Sequence, residues 1–281
     1  MKLCIFASDL AIITGHNKFK SVTEILHKIW TKNFQDDYQN TLKLIADRNI
    51  DLRQDETDLE CINRISKNNN LDINLSKCLQ SNNLEELNNN KKDILGKCKN
   101  LNMEQKKLVN DALSNVVNTN FGTVHENYAV NKYSNLLNTK VLKVSKFFKR
   151  SLCNYRDTEW IIGGKVDGLR EDNIIVEVKN RVNKLFLKLR DYEKVQIFAY
   201  LYILEFEKAH LIEFLNKNND PKINILEVIY SQDYWEIEIL SKIYKFIKFF
   251  HKFLESDKLK IMLLTDKIDS LEKCMNDYIQ N

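Results

Sequence analysis

The amino-acid sequence predicts an α/β (α+β) fold, a mixed central sheet flanked by helices and preceded by an N-terminal helical region. Three observations carry this. Residues from about 33 to 118 are polar, helical in pattern, broken by Asn clusters such as Asn88-Asn89-Asn90, and show no strand alternation. From about 120 the pattern changes to helix, three strands, helix, two strands, helix. The chain is 43% hydrophobic with one Pro and six Gly, a composition that supplies a sizeable core and argues against disorder. Its 281 residues fit a single domain, 1–281, with 33–118 as a helical insertion or arm and 119–255 as a catalytic core.

The elements follow in order. Leu10 to Ile13 is a short apolar run behind Ser8-Asp9, a cap candidate, with Gly15 as a stop. Ser21-Val22-Thr23-Glu24 fits a capping box that opens a helix carrying Ile25, Leu26 and Ile29. Gly122 to Leu137 reads as a helix. Val141 to Phe148 alternates, with Leu142, Val144 and Phe148 on one side and Lys143, Ser145 and Lys149 on the other, as a half-buried strand does. Trp160 to Leu169 is a second strand, loosened by Gly163, Gly164 and Gly168, and Ile174 to Lys179 is a third. A helix over about 189–206, strands over Leu211–Phe214 and Ile223–Ile229, and a long helix from Tyr234 to Leu254 complete the pattern.

The bulk properties mainly exclude. A formal net charge of +4 is too small to announce a nucleic-acid binder, so only a local patch could do so. The six cysteines form no CxxC pair and no His stands at finger spacing, which argues against structural zinc and for free thiols in a reducing compartment. The apolar start is interrupted by Ser8-Asp9, and no stretch of about 20 apolar residues exists to span a bilayer, so a soluble intracellular protein is expected.

The chemistry sits in Gly164-Lys165-Val166-Asp167-Gly168 followed by Ile174-Ile175-Val176-Glu177-Val178-Lys179. Residues two apart on a strand share a face, so Glu177 and Lys179 project together while Ile174, Val176 and Val178 point to the core. Charge on an otherwise apolar strand needs a partner or a metal. Asp167, at the end of the preceding strand, supplies a second carboxylate. Two carboxylates and a backbone carbonyl make a hard oxygen site suited to Mg²⁺, with Mn²⁺ substituting. Such an ion activates water, and Lys179 would orient that water or stabilise the oxyanion. A bare ExK is more often a surface ion pair. Two further features favour chemistry: Phe121-Gly122-Thr123-Val124-His125-Glu126, which would place Glu126 on the first turns of a helix facing the sheet, and Gln196 with Tyr200, sharing a helix face at i and i+4.

These residues together resemble the PD-(D/E)xK nuclease superfamily and, within it, the lambda-exonuclease-like (YqaJ-type) viral recombination nucleases. The resemblance covers 121–255 and extends to Phe6-Ala7-Ser8-Asp9 and Ile13-Thr14-Gly15-His16-Asn17-Lys18-Phe19 at the start. It implies a restriction-endonuclease-like core, with Asp167, Glu177 and the Val178 carbonyl holding the metal, Glu126 near a second metal position, Lys179 as catalytic lysine and Gln196 as the glutamine after the core motif. It further implies that Ser8 grips a DNA 5′-phosphate. The implied activity is Mg²⁺-dependent 5′→3′ digestion of double-stranded DNA ends, with a single-strand annealing protein as partner and, in some members, a toroidal trimer. A viral origin would place the protein in the host cytoplasm or nucleus. The chain departs from the family at Val166, where the family has proline, and at Lys165, where the phage enzyme has a phosphate-contacting serine; Lys2 is the nearest candidate for the phosphate-pocket arginine.

DNA-contact candidates are the basic run Lys140, Lys143, Lys146, Lys149 and Arg150, interleaved with Phe147 and Phe148, and a stripe of Lys242, Lys245, Lys248 and Lys252 on the last helix. Lys165 and Tyr200 join the first set. The alternatives are a RecB-like or structure-selective endonuclease, and a degenerate nuclease fold kept as a DNA-binding subunit. An iron–sulfur variant is disfavoured, because only Cys274 lies beyond Cys153.

Overall fold

The computed structural model describes residues 1–53, 58–69, 75–81, 84–217 and 220–280, without the side chains at 76, 79, 84, 117–125 and 217. The chain begins with β1 (Lys2–Phe6), a 3-10 turn (Ala7–Asp9) and α1 (Leu10–Ile13). Helices α2 (Val22–Asn33), α3 (Gln35–Asp47), α4 (Asp58–Asn68), α5 (Ser76–Leu79), α6 (Leu84–Lys97) and α7 (Met103–Leu137) follow. The core then runs through β2 (Val141–Leu142), β3 (Phe148–Tyr155), β4 (Thr158–Gly164), β5 (Gly168–Arg170), β6 (Ile174–Asn180), α8 (Asp191–Leu204), β7 (Lys208–Lys217) and β8 (Asp220–Ile229). It closes with α9 (Gln232–Tyr234), a π-helical segment (Trp235–Leu240), α10 (Ser241–Leu254), α11 (Asp257–Leu264) and α12 (Ile268–Gln280).

The fold is mixed α/β, as expected, but its strands form two sheets rather than one. The order is β1-β4-β3 in the first and β2-β5-β6-β7-β8 in the second. β1 is parallel to β4 and β6 is parallel to β7; the other pairs are antiparallel. The strand expected over 160–169 breaks after Gly164, so β4 lies in one sheet and β5 in the other, with Lys165, Val166 and Asp167 as the crossing. Its neighbour breaks similarly: the alternation at 141–148 yields only the two-residue β2, and 143–147 is irregular. The longer β3 begins where the expected strand ended. β1 was not anticipated; its apolar Leu3 and Ile5 are buried beneath the sheet.

Local signals held at several helix ends. Ser21 makes the expected capping box with Glu24, and Gly15 stops α1 with φ +74°. Asp9 makes no side-chain capping bond. The helix expected from 122 starts at Met103, where Asn102 and Gln105 form a second capping box. Glu126 therefore lies well inside a 35-residue helix rather than on first turns.

Both faces of the second sheet are covered. Ile175 and Leu211 join the main core under α1, α2, α8 and α10, whose largest buried side chains include Trp30, Phe198, Phe246 and Phe250. Val176, Val178, Ile212 and Phe214 pack on the other side against Ala129 and Tyr133 of α7. Val176 and Val178 thus face apolar cover, as expected, while Ile174 at the strand's start is only partly buried; the Glu177 face is covered too. In the helical region, Ile62, Leu87, Ile94 and Leu113 form a smaller cluster that reaches Leu215 of β7 and the Val182–Leu185 loop. No helix among the described residues is long and apolar enough to cross a membrane.

Candidate active site

Asp167, Glu177, Lys179, Gln196 and Tyr200 come together where the two sheets part. β5 pairs with β6 only as far as Gly168 opposite Val176, so the edge of β6 beyond Val176 is left to other partners. Asp167 takes one: its Oδ2 accepts a hydrogen bond from the Val178 N–H at 2.7 Å. The N–H and C=O of one strand residue point to the same side, so the Val178 carbonyl also lies along the Asp167 edge.

Glu177 is 3% exposed. Its Oε1 accepts from Lys179 Nζ at 2.9 Å and from Gln196 Nε2 at 3.1 Å. Lys179 also donates to Gln196 Oε1 at 3.1 Å, and Gln196 Nε2 donates to the Tyr200 hydroxyl at 2.9 Å. Gln196 and Tyr200 do share a face of α8. The other carboxylate oxygen, Glu177 Oε2, is buried and has no hydrogen-bond partner. An unpaired buried carboxylate oxygen costs on the order of 1–3 kcal/mol or more, so this atom awaits a proton or a cation.

The electrostatics agree. Burial raises the Asp167 carboxyl to about 7, and the nearby Glu126 carboxyl, within hydrogen-bonding reach, adds to the rise against the Val178 N–H. Burial likewise raises Glu177 to about 7, opposed by Lys179 and reinforced by Asp167. Burial works against the Lys179 ammonium, but Glu177 and Asp167 outweigh it and its pKa rises. Burial also raises the Tyr200 phenol, with Glu177 adding to it. The arrangement concentrates carboxylate charge that burial alone would neutralise.

These donors fit a hard divalent cation: two neighbouring carboxylates, a backbone carbonyl, and an orphaned oxygen. Among the described residues, no three His, Cys, Asp or Glu side chains are set to ligate one ion by themselves. Glu126 stands beside Asp167 without completing such a set, so the Val178 carbonyl and waters would have to fill the remaining positions.

Two glycines shape this corner, one toward each face of the first sheet. A Cβ at Gly164 would lie 2.7 Å from Tyr200 Cε1 and 3.2 Å from Ala7 Cβ. A Cβ at Gly163 would lie 2.5 Å from the Phe147 ring. Their lack of side chains lets Tyr200 reach Gln196 from inside and Phe147 lie flat outside.

A buried ionic network beyond Lys179 escaped the sequence reading. Arg181, two residues on along the same face, donates to Glu213 Oε1 at 2.8 Å and to both oxygens of Glu193 at 2.7 and 3.1 Å. Glu213 also accepts from the N–H groups of Phe186 and Leu187 and from Asn224. It ties β6, β7, α8 and the 181–190 loop together beside the site. The signal was present: Glu177 and Lys179 are charged at i and i+2 of β6, Arg181 continues that spacing just past its end, and Glu193 stands three residues before Gln196.

The DNA-contact candidates divide. Ser8, Lys143, Lys146, Lys149 and Lys165 are exposed, although Lys143 donates to Asn127 Oδ1 at 2.6 Å. Tyr200 is a correction: it is 5% exposed with its hydroxyl on Gln196, so it holds the site from within and is not a surface contact. Arg150 lies on the opposite side of β3 from Lys149, half-exposed, donating to the Tyr202 carbonyl at 2.6 Å and pairing with Glu205 at 2.7 Å. The basic run is therefore not one face of one strand. Lys2 is paired with Glu159 at 2.7 Å, and Lys242 of the last-helix stripe lies 3.5 Å from Glu238. The side chains of Phe121–His125 lie outside the described residues.

No family model matches the chain, and no curated protein matches it. Among solved structures, the chain is similar to an alkaline exonuclease from Laribacter hongkongensis at 12% identity and a TM-score of 0.40, over 69% of this chain and 88% of that one. It is similar to the same enzyme in complex with dAMP at 12% identity and a TM-score of 0.38, over the same shares.

Proposed function

We propose that this protein is a Mg²⁺-dependent deoxyribonuclease that hydrolyses phosphodiester bonds, acting 5′→3′ on double-stranded DNA ends during viral recombination or replication. The observation that carries the reading is Glu177: one oxygen is held by Lys179 and Gln196, the other is buried without a partner, and Asp167 stands beside it. Asp167, Glu177 and the Val178 carbonyl would hold the cation, with Glu126 near it. When bound, the ion supplies a more acidic water and neutralises phosphate charge. Lys179, anchored by Glu177 and Gln196, would orient that water and offer its ammonium to developing negative charge. Gln196 fixes the lysine from α8, and Tyr200 fixes Gln196. Exposed Ser8, Lys149 and Lys165 flank the corner and suit phosphate contact. End polarity, a trimeric assembly and an annealing-protein partner rest on the family resemblance of the motif residues.

The test is digestion of an end-labelled linear duplex with Mg²⁺ or Mn²⁺, comparing wild type with Glu177→Ala. Cleavage by the wild type alone, faster on 5′-phosphorylated ends, supports the reading. Equal rates on circular and linear duplexes would replace exonuclease with endonuclease action. Binding without cutting by the wild type would favour a DNA-binding subunit.

A further inference from the structure

The open face of the β1-β4-β3 sheet carries features that the catalytic corner does not use. Leu3 and Ile5 point into the core, so alternation turns Cys4 and Phe6 outward. Phe147 lies on the same side, over Gly163, and is 37% exposed. The two rings meet edge to face at 5.9 Å. Three ammonium groups surround them. Lys28 Nζ is 4.6 Å and Lys32 Nζ 5.7 Å from the Phe6 ring centre, and Lys149 is exposed beside Gly163, its register partner. All three lie within electrostatic reach of the Cys4 thiol between them. Two acids adjoin the face, and each is already paired: Asp9 with Lys28 at 2.8 Å and Glu159 with Lys2 at 2.7 Å.

Glycine at 163 is what makes the platform. Any side chain there would lift Phe147 off the strand. Exposed aromatic faces ringed by lysines suit a polyanion whose bases are free to stack, and paired bases offer no such face. Gly163 is four residues from Asp167, a span of at most about 14 Å of extended chain, so a strand lying here would continue toward the catalytic corner.

We infer that Phe6 and Phe147, with Lys28, Lys32 and Lys149, form a docking surface for an unpaired nucleic-acid strand entering or leaving the site. The inference rests on the nuclease reading for its role, but its binding chemistry can be measured apart from cleavage. Fluorescein-labelled oligothymidylate and a blunt duplex are titrated by anisotropy in EDTA, with wild type, Phe147→Leu and the Lys28→Gln/Lys149→Gln pair. Leu keeps apolar cover over Gly163 while removing the π face, and thermal melts check the fold. Phe147→Leu should weaken single-strand binding about tenfold and duplex binding less than twofold. The lysine pair should lower the log–log salt slope for the single strand by roughly 0.7 for each charge removed. Single-strand affinity within twofold of wild type in a folded Phe147→Leu overturns the surface, as does equal weakening toward both nucleic acids. Cleavage of linear duplex by wild type is followed in parallel with Mg²⁺. Cleavage intact with no single-strand effect removes the surface alone; the single-strand effect without cleavage removes the nuclease reading alone.

Discussion

Asp167 and Val178 are joined by a 2.7 Å hydrogen bond from the strand amide to the carboxylate, which fastens one acid of the corner to the strand that bears the other. The bond separates the two roles of Asp167. Asp167→Asn keeps an oxygen to accept the amide and removes the charge. We expect its melting temperature to stay close to wild type while cleavage falls by at least about 10²–10³-fold, the scale for losing one electrostatic group at a reacting centre. Unfolding of Asp167→Asn, with activity lost only in proportion, would show the acid to be structural.

The same acids make stability depend on pH in a defined direction. Their ordinary values are about 3.9 for Asp and 4.3 for Glu, and in the folded chain both stand at about 7. The folded state therefore holds more protons than the unfolded state between about pH 4 and 7, and stability falls as pH rises through that window. Without metal, the melting temperature should be lower at pH 7.5 than at pH 5. Mg²⁺ or Mn²⁺ should raise it at pH 7.5 and leave it nearly unchanged at pH 5. The Asp167→Asn/Glu177→Gln protein should lose both effects; retention of the metal effect in that variant would place the ion elsewhere.

Arg181 neutralises two buried acids at once. Arg181→Ala strands Glu193 and Glu213, and removing one partner of a buried pair costs about 3–5 kcal/mol. Urea denaturation should report a loss of that size, with less in Glu193→Gln, which keeps an acceptor. A loss below about 1 kcal/mol would mean that water reaches the network and screens it.

Gly164→Ala tests how closely Tyr200 is seated. The added methyl would stand 2.7 Å from the ring, and overpacking of this kind costs roughly 1–3 kcal/mol. Because Tyr200 anchors Gln196, the rate should fall along with stability. Gly164→Ala/Tyr200→Leu should regain stability and not rate. If the double variant regains neither, the clash lies with Ala7 instead.

Much of this was legible along the chain. Alternation in Ile174–Lys179 put Glu177 and Lys179 on one face, and helical spacing put Gln196 and Tyr200 on another. Together those two rules draw four of the site's side chains into contact. What periodicity could not convey was where a strand changes sheets. Lys165-Val166-Asp167 reads as continuous strand, and only its competing partners, β1 and β3 on one side and β6 on the other, break it. Arg150 was missed for a simpler reason: the expected strand stopped at Phe148, whereas the same alternation, carried two residues further along β3, separates Arg150 from Lys149. The Arg181 network was hidden because its acids come from α8 and β7, far apart in sequence. The start of α7 was obscured because its polar pattern continues without interruption through the residues preceding Glu126.

One helix, α7, runs unbroken from Met103 to Leu137, a rod of about 52 Å at 1.5 Å per residue. Its first half packs on α4 and its second half lies under β6, so Glu126 rides on the same rigid shaft that the outer helices grip. The position of Glu126 is therefore fixed from both directions along one axis, by helices outside the catalytic core and by the strand that bears Glu177.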